Sequence, residues 1–254
     1  MLHAFLDGAV FGTTSGEGPT KVVLLHGWRR TREDFSTVAA LLAAQGVAAV
    51  ALDLPGFGAS PPPTSPGGAR AYAEMLAPLA DELASKDGPT VLVGHSFGGR
   101  VATCLAASNP RAVAGVVLSG VPLIRSAMPH AEPSRRYQVI RTAARCHLLT
   151  ASRLEAARRR YGSADYRAAT GVMRDVLVAL VGESYESELA ALRCGVALVW
   201  GAQDTTVPVA VAQRAVELVA SGALEVLGGT GHLVPTEAPD ALCAAAIRLV
   251  RSSS

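Results

Sequence analysis

The 254-residue sequence has little aromatic content, no long apolar run and no strong net charge. No segment approaches the roughly 20 apolar residues that a membrane-spanning helix needs. Residues 1–8 lack the basic and apolar regions of a secretory signal peptide, which predicts a cytoplasmic protein. The formal net charge of +2 gives the chain as a whole no electrostatic footprint for nucleic-acid binding. We therefore expect a globular protein with one large α/β domain or two small ones.

Motifs for metals, disulfides and nucleotides are also missing. The cysteines are Cys104, Cys146, Cys194 and Cys243. They are widely spaced without a C-x-x-C pair, which predicts reduced thiols rather than a disulfide or zinc framework. The six histidines show no H-E-x-x-H or other metal-ligand spacing. Since no Walker loop or complete G-x-G-x-x-G occurs either, we predict a protein without metal or cofactor.

Strand-like apolar runs alternate with helix-like segments along most of the chain. An edge hairpin is predicted in residues 2–13, and strands in residues 21–25, 47–52, 90–93, 113–119, 196–200 and 223–227. Helices are predicted in residues 31–44, 69–85, 208–220 and 239–250, and one follows residue 96. Such alternation favours a wound, mostly parallel sheet with helices on its faces.

The alternation stops between residues 123 and 192, where no strand-like run occurs and three or four helices are predicted. We therefore predict a core domain formed by residues 1–122 and 193–254. Residues 123–192 are predicted to form a helical lid inserted into that core.

The predicted lid is basic. Between Arg125 and Arg174 there are eleven arginines against three acidic residues, a formal net charge of +8 that leaves −6 for the rest of the chain. The densest cluster is Arg158-Arg159-Arg160. One interpretation is a solvated helix face. The other is an electropositive surface that attracts an anionic substrate or an acidic carrier protein, and the sequence leaves both open.

The segment around Ser96 predicts an exposed nucleophile. Thr90 to Val93 form a short β-prone run, Gly94-His95-Ser96-Phe97-Gly98-Gly99 follows, and a helical run begins there. A serine hydroxyl becomes a useful nucleophile when it is exposed beside a base and faces donors for an oxyanion. A sharp strand-to-helix turn exposes it, and the glycines two residues to either side of Ser96 allow strand and helix to approach closely.

Other chemical groups also follow predicted strands directly. Trp28 follows His26-Gly27, Asp204 follows Gly201-Ala202-Gln203, and His232 follows Gly231. Because ligands bind beyond the carboxyl ends of the strands in such a sheet, we expect these groups to lie near Ser96. Their order along the chain is serine, then aspartate, then histidine.

With that order and these motifs, together with Asp53-Leu54-Pro55-Gly56-Phe57-Gly58, the sequence resembles the lid-bearing serine esterases of the α/β-hydrolase fold family. The resemblance covers nearly the whole chain outside the predicted lid. It implies a mostly parallel, eight-stranded sheet. It also implies that Ser96 is the nucleophile, His232 the base and Asp204 the acid, with the backbone amides of Trp28 and Phe97 forming the oxyanion hole.

The resemblance gives supporting roles to three other polar residues: His26 and His95 as loop-holding histidines, and Asp53 as part of a structural turn. The apolar lid residues Leu148, Leu149, Val172, Met173, Leu177 and Leu180 are candidates for both lid core and pocket wall.

The resemblance implies a hydrolase without cofactor that cleaves a small-molecule carboxylic ester or thioester, anionic and carrier-bound substrates included. Alternatives on the same triad are a carbon–carbon bond hydrolase, an acyltransferase and a perhydrolase. The alternative of another class is a ligand-binding protein without catalysis. A serine at position 96 disfavours epoxide hydrolases and haloalkane dehalogenases, whose family members use an aspartate there. The natural substrate and the oligomeric state are not encoded in any motif.

Overall fold

The apolar runs of the sequence assemble into one eight-stranded sheet in the computed structural model, which describes residues 1–128, 150, 153, 160 and 163–253. The strands are β1 Leu2–Phe5, β2 Val10–Ser15, β3 Thr20–Leu25, β4 Ala48–Asp53, β5 Thr90–His95, β6 Val113–Ser119, β7 Gly195–Gly201 and β8 Gly222–Leu227. Their order across the sheet is β1-β2-β4-β3-β5-β6-β7-β8. β2 pairs antiparallel with β1 and β4, and all the other pairs are parallel. The predicted fold class is confirmed.

The described helices follow the predicted alternation. They are α1 Ser36–Ala44, α2 Ala69–Asp87, α3 Phe97–Ser108, α4 Ala164–Ala168, α5 Gly171–Gly182, α6 Glu186–Ala191, α7 Val209–Val216, α8 Val234–Glu237 and α9 Pro239–Ser252. A 3-10 turn capped by Thr31 precedes α1, so only the later part of the helix predicted over residues 31–44 is α-helical. Pro208 lies at the N-cap of α7 rather than in its first turn, and α7 ends four residues before the predicted boundary. The short helix α8 was not predicted. None of the described helices is both long and apolar enough to cross a membrane.

Both faces of the sheet are covered, which explains why its central strands are apolar without alternation. On β3, Val22 and Leu24 pack with helices α1 and α9 in one buried cluster. On the same strand, Val23 and Leu25 pack with α2 and α3 in the other cluster. Alternate side chains of one strand therefore fill two separate cores.

The ends of the predicted lid segment pack into the core. Leu123, Tyr185 and Leu189 are fully buried in the cluster that contains α2 and α3. The Tyr185 amide donates a hydrogen bond to the Leu123 carbonyl oxygen over 2.9 Å, which ties the two ends together.

The domain boundaries at residues 122 and 193 stay a prediction. Some of the residues named or counted in the sequence analysis lie outside the described part of the chain: His130, Arg135, Arg136, Arg141, Arg145, Cys146, His147, Leu148, Leu149, Arg158 and Arg159.

Candidate active site

The sheet brings the predicted site residues to one edge. The parallel pairs Leu25 with Gly94 and His95 with Ser119 align the carboxyl ends of β3, β5 and β6. Farther along the same edge, Gly201 at the end of β7 pairs with Leu227 at the end of β8. Ser96 follows β5 directly, while the loops after β3, β7 and β8 carry Trp28, Asp204 and His232. The carboxyl edge of the sheet therefore holds the whole predicted constellation.

Ser96 lies in a strained turn between β5 and α3. Its backbone φ is 51° and its ψ is −110°, a combination that non-glycine residues rarely adopt and that is concentrated at functional sites. The surroundings enforce it, since the Ser96 amide donates to the Ser119 carbonyl oxygen over 2.9 Å. A methyl group on Gly94 would lie 2.5 Å from the Gly99 Cα, and one on Gly98 would overlap the Leu25 carbonyl oxygen. The two glycines predicted to permit the turn are therefore required by packing.

Asp204 and His232 form a hydrogen-bonded pair. The Nδ1 of His232 lies 2.8 Å from Oδ2 of Asp204, while the amides of Thr206 and Val207 each donate to Asp204 Oδ1 over 2.8 Å. Burial raises the pKa of Asp204, but the hydrogen bonds from His232 and the two amides outweigh burial and lower this pKa below its ordinary value. An ionised Asp204 holds the His232 proton on Nδ1, which leaves Nε2 as a proton acceptor.

The imidazole of His232 lies against the residues that flank the serine turn. Its ring centroid is 4.9 Å from that of His95, the residue before Ser96. A methyl group added at Gly120, where φ is 57°, would lie 2.8 Å from His232 Cε1. The absent side chain at Gly120 therefore makes the space that the imidazole occupies. Nothing in the sequence motifs singled out Gly120 for this role.

The side chains of His95 and His26 are buried and make hydrogen bonds with backbone groups. His95 Nδ1 lies 3.0 Å from the Ser119 carbonyl oxygen, and burial together with the nearby His232 lowers the pKa of His95 to about 3. His26 donates from Nδ1 to the Gly27 carbonyl oxygen and accepts at Nε2 from the Leu54 amide. Burial lowers the pKa of His26 as well. Both imidazoles are therefore neutral and hold the loops around the site through hydrogen bonds to the backbone. This agrees with the supporting roles expected for them.

The amides of Trp28 and Phe97 lie on adjoining loops. Phe97 begins helix α3, whose N-terminus carries partial positive charge, and its ring centroid is 5.5 Å from that of Trp28. The next amide, of Gly98, donates to the His26 carbonyl oxygen over 3.0 Å and so joins the two loops. Within the described residues, neither the Trp28 nor the Phe97 amide is paired with an acceptor. This arrangement fits the predicted oxyanion hole.

The buried carboxylate of Asp53 is occupied by groups of the protein, from the segment that follows it and from Arg32. Its oxygens accept from the Arg32 amide and the Ala59 amide over 2.8 Å each, and the Arg32 guanidinium pairs with it as well. Phe57 in the same turn packs edge-on against Trp28 with ring centroids 5.0 Å apart. Asp53 therefore orders the loop under Trp28, as expected for a structural turn.

A cavity of about 210 Å³ opens beside Ser96. Polar and aromatic parts of its wall come from Trp28, Phe97, Arg100, Asp165 and Thr206. Its apolar wall consists of Pro122, Met128, Leu177, Leu180, Val181 and Val207. Leu177 and Leu180 were among the pocket-wall candidates, whereas Arg100 was given no role from the sequence. Its position one helical turn after Ser96 is the signal that could have found it. No cluster of metal-ligating side chains occurs within the described residues.

The chain is similar to known proteins over most of its length. Residues 22–246 match the model of the alpha/beta hydrolase family. The chain is 31% identical to a pimeloyl-[acyl-carrier protein] methyl ester esterase of Edwardsiella ictaluri, in an alignment that covers 93% of the chain and 95% of that protein. The protein of the same name in Sodalis glossinidius is 38% identical, but that alignment spans only 43% of the chain and 39% of the relative's length.

Solved structures agree on the fold. The structure of esterase RhEst1 from Rhodococcus sp. ECU1013 superposes with a TM-score of 0.67 at 25% identity, covering 100% of this chain and 99% of that one. The prediction of a hydrolase enzyme is thereby confirmed at the level of the family. Since the family model spans most of the sequence, the chain belongs to the alpha/beta hydrolase family.

Proposed function

We propose that the protein is a cytoplasmic serine hydrolase that cleaves a carboxylic ester or thioester through an acyl-enzyme formed on Ser96. The observation that carries the proposal is the strained Ser96 turn with the hydrogen-bonded His232–Asp204 pair packed beside it. Relatives that are esterases by name favour an ester as the substrate. The unpaired thiols of Cys104, Cys194 and Cys243 fit a reducing compartment.

The first half of the reaction forms the acyl-enzyme. His232 Nε2 takes the proton of the Ser96 hydroxyl while Oγ bonds to the carbonyl carbon of the ester, whose carbonyl oxygen becomes an oxyanion. The amides of Trp28 and Phe97 donate to that oxyanion, and Asp204 stabilises the imidazolium. The carbon–oxygen bond to the alcohol then breaks, and His232 returns its proton to the departing oxygen.

The second half of the reaction releases the acid. A water molecule gives a proton to His232 and bonds to the acyl carbon, and the second oxyanion uses the same two amides. When the bond to Oγ breaks, His232 returns the proton to Ser96 and the enzyme is regenerated. This sequence needs no metal or cofactor.

A second candidate is cleavage of a methyl ester whose acyl chain is attached to an acidic carrier protein. It is favoured by the relative aligned over nearly its full length, which is named as a pimeloyl-[acyl-carrier protein] methyl ester esterase. The +8 charge of the Arg125–Arg174 segment has the sign that such a carrier would attract. Carbon–carbon cleavage, acyl transfer and perhydrolysis would use the same triad, but no described contact favours them.

A fluorophosphonate probe and an ester panel test the proposal. The probe should label the wild-type protein and a Ser85→Ala control on helix α2, but not Ser96→Ala. 4-Nitrophenyl esters of increasing acyl length should be hydrolysed, with a preference that the cavity beside Ser96 sets. A folded wild-type protein that takes no label and cleaves no ester of the panel would instead support the ligand-binding alternative.

A further inference from the structure

Two residues that line the cavity beside Ser96 carry buried polar side-chain atoms without a hydrogen-bond partner among the described residues. Buried polar groups in proteins nearly always have hydrogen-bond partners, so each exception calls for an explanation. In the part of the chain that the structure describes, the buried side-chain atoms without a partner are Trp28 Nε1, Thr90 Oγ1 and Arg100 Nε. Trp28 and Arg100 both line the Ser96 cavity, and both unpaired atoms are N–H donors. Each of the two residues therefore keeps a side-chain donor that no described protein group satisfies.

Arg100 is held in place by contacts of its other atoms. It lies one turn into helix α3, where its amide donates to the Ser96 carbonyl oxygen over 3.2 Å. Its Nη1 donates to the Leu180 carbonyl oxygen over 2.7 Å, and its guanidinium carbon lies 5.9 Å from the Tyr185 ring centroid. These contacts fix the side chain without neutralising it. The charge is therefore presented in a fixed orientation one turn from the nucleophile.

No described carboxylate pairs with Arg100 within 4.0 Å. Asp165 lines the same cavity, but it pairs with Arg29 over 3.1 Å and its side chain is half exposed. Glu183 lies near Tyr185, where it accepts from the Tyr185 hydroxyl over 2.7 Å and from the Ala69 amide over 2.9 Å. Because a half-buried cation in a largely apolar cavity is poorly solvated, it favours an anionic ligand.

We propose that Arg100 is a specificity residue that binds a carboxylate on the acid portion of the substrate, so that the enzyme prefers monoesters of short dicarboxylic acids. This inference rests on the proposed function. The acid portion is the half concerned because the cavity is lined by Ser96, Trp28 and Phe97, which hold the acyl group and its oxyanion. His232, which protonates the departing alcohol, is not among the described residues of that wall.

The test compares two methyl esters of the same shape. Monomethyl adipate carries a carboxylate where methyl 6-methylheptanoate carries an isopropyl group, and methanol release measures both. A charge-assisted hydrogen bond discriminates by about 10- to 100-fold, so wild-type kcat/KM should favour monomethyl adipate by that factor. Arg100→Met should reduce this preference by about the same factor, and Arg100→Lys should reduce it less because the charge remains. Arg214→Met on helix α7 is the matched control and should keep the wild-type preference.

The outcomes separate the inference from the function on which it rests. A wild-type enzyme that cleaves the neutral ester equally well or better overturns the role of Arg100, whatever the variants do. Arg100→Met that loses activity equally on both esters also overturns it, since that result indicates a structural tie to Leu180 alone. If no ester is cleaved and the fluorophosphonate probe fails to label Ser96, the proposed function itself fails.

Discussion

The turn at Ser96 and the predicted inserted segment, residues 123–192, contribute to the same cavity by different means. At the turn, backbone contacts between β5, α3 and the end of β3 leave no space for a single added methyl group at Gly94 or Gly98. In the inserted segment, buried side chains such as Val176, Tyr185 and Leu189 anchor short helices whose outer faces are exposed. The turn is therefore held by backbone contacts that exclude one extra atom, whereas the helices of the segment are held by side-chain packing.

This difference matches the division of labour that we propose. Catalysis requires the nucleophile, base and oxyanion donors at fixed distances, and the residues proposed for these roles follow β3, β5 and β8 at one edge of the sheet. Substrate choice requires a wall that can vary, and the inserted segment supplies Leu177, Leu180 and Val181 to that wall. The ion pair between Arg29 and Asp165 across the predicted boundary is about half exposed and contributes little stability. We therefore expect substitutions in the turn to reduce kcat strongly, and substitutions in the inserted segment to change selectivity.

The largest effect is expected at the nucleophile. Ser96→Ala removes the group that forms the acyl-enzyme, so kcat should fall by about 10⁶-fold. The variant should stay folded, because alanine leaves the backbone turn and its hydrogen bond to Ser119 in place. Steady-state kinetics and circular dichroism measure the two results. Full activity in a folded variant would show that Ser96 is not the nucleophile.

Asp204→Asn should rank next, with a loss in kcat of about 10⁴-fold or less. An asparagine amide can turn its NH₂ towards His232, which favours the wrong imidazole tautomer. The lowered pKa of Asp204 adds a second readout. A carboxylate whose pKa is lower in the folded state stabilises that state above its unfolded pKa, and this contribution is lost as pH falls through the folded value.

The free energy of unfolding of the wild type should therefore decrease as pH drops below about 4, the ordinary range of an aspartate. Urea denaturation between pH 3 and 7 should show a shallower decrease for Asp204→Asn. Identical pH profiles for the two proteins, or unchanged kcat in the variant, would require another carboxylate as the partner of His232.

The strands of the core and the turn at Ser96 could be predicted from the sequence because each depends on a pattern within a few neighbouring residues. A short, mainly apolar run such as residues 21–25 favours a strand covered on both faces, and the glycines around Ser96 indicate a close backbone contact. Because parallel strands end at the same edge of the sheet, the positions of Ser96, Asp204 and His232 after their strands predicted that all three lie at that edge. Element boundaries were less predictable: the helix expected to reach residue 220 ends at Val216.

The rest of the site depends on contacts between distant residues, which no local pattern encodes. Gly120 makes room for His232, more than a hundred residues later in the chain. Arg100 acquires its orientation from the Leu180 carbonyl oxygen, eighty residues away. In the inserted segment the apolar positions of α5 predicted a buried face, but not which of them line the cavity.

Gly120 and Gly171 allow the two regions to be compared by the same substitution. Both have positive φ, 57° and 52°, so alanine should destabilise either site by about 1–2 kcal/mol through backbone strain. At Gly120 the methyl group would also displace His232 and reduce kcat by about 10²-fold. At Gly171, where nothing lies within 4 Å, kcat should be unchanged. Thermal denaturation and kinetics of both variants provide the comparison, and equal kcat values would remove Gly120 from the site.

The smallest effect is expected from the arginine cluster at residues 158–160. Arg160, the one member that the structure describes, is exposed, and exposed charges are screened over about 8–10 Å near physiological ionic strength. Replacing all three arginines with glutamine should therefore leave kcat/KM for monomethyl adipate and for its neutral isostere within about two-fold of wild type. The preference assigned to Arg100 should instead persist at high salt, because a half-buried charge is screened less.

The triple substitution could instead raise KM for the acidic ester alone, and high salt could reproduce that change in the wild type. The cluster would then be a surface that attracts anionic substrates electrostatically. Selectivity would then be divided between a surface that attracts the anion and a cavity that binds it.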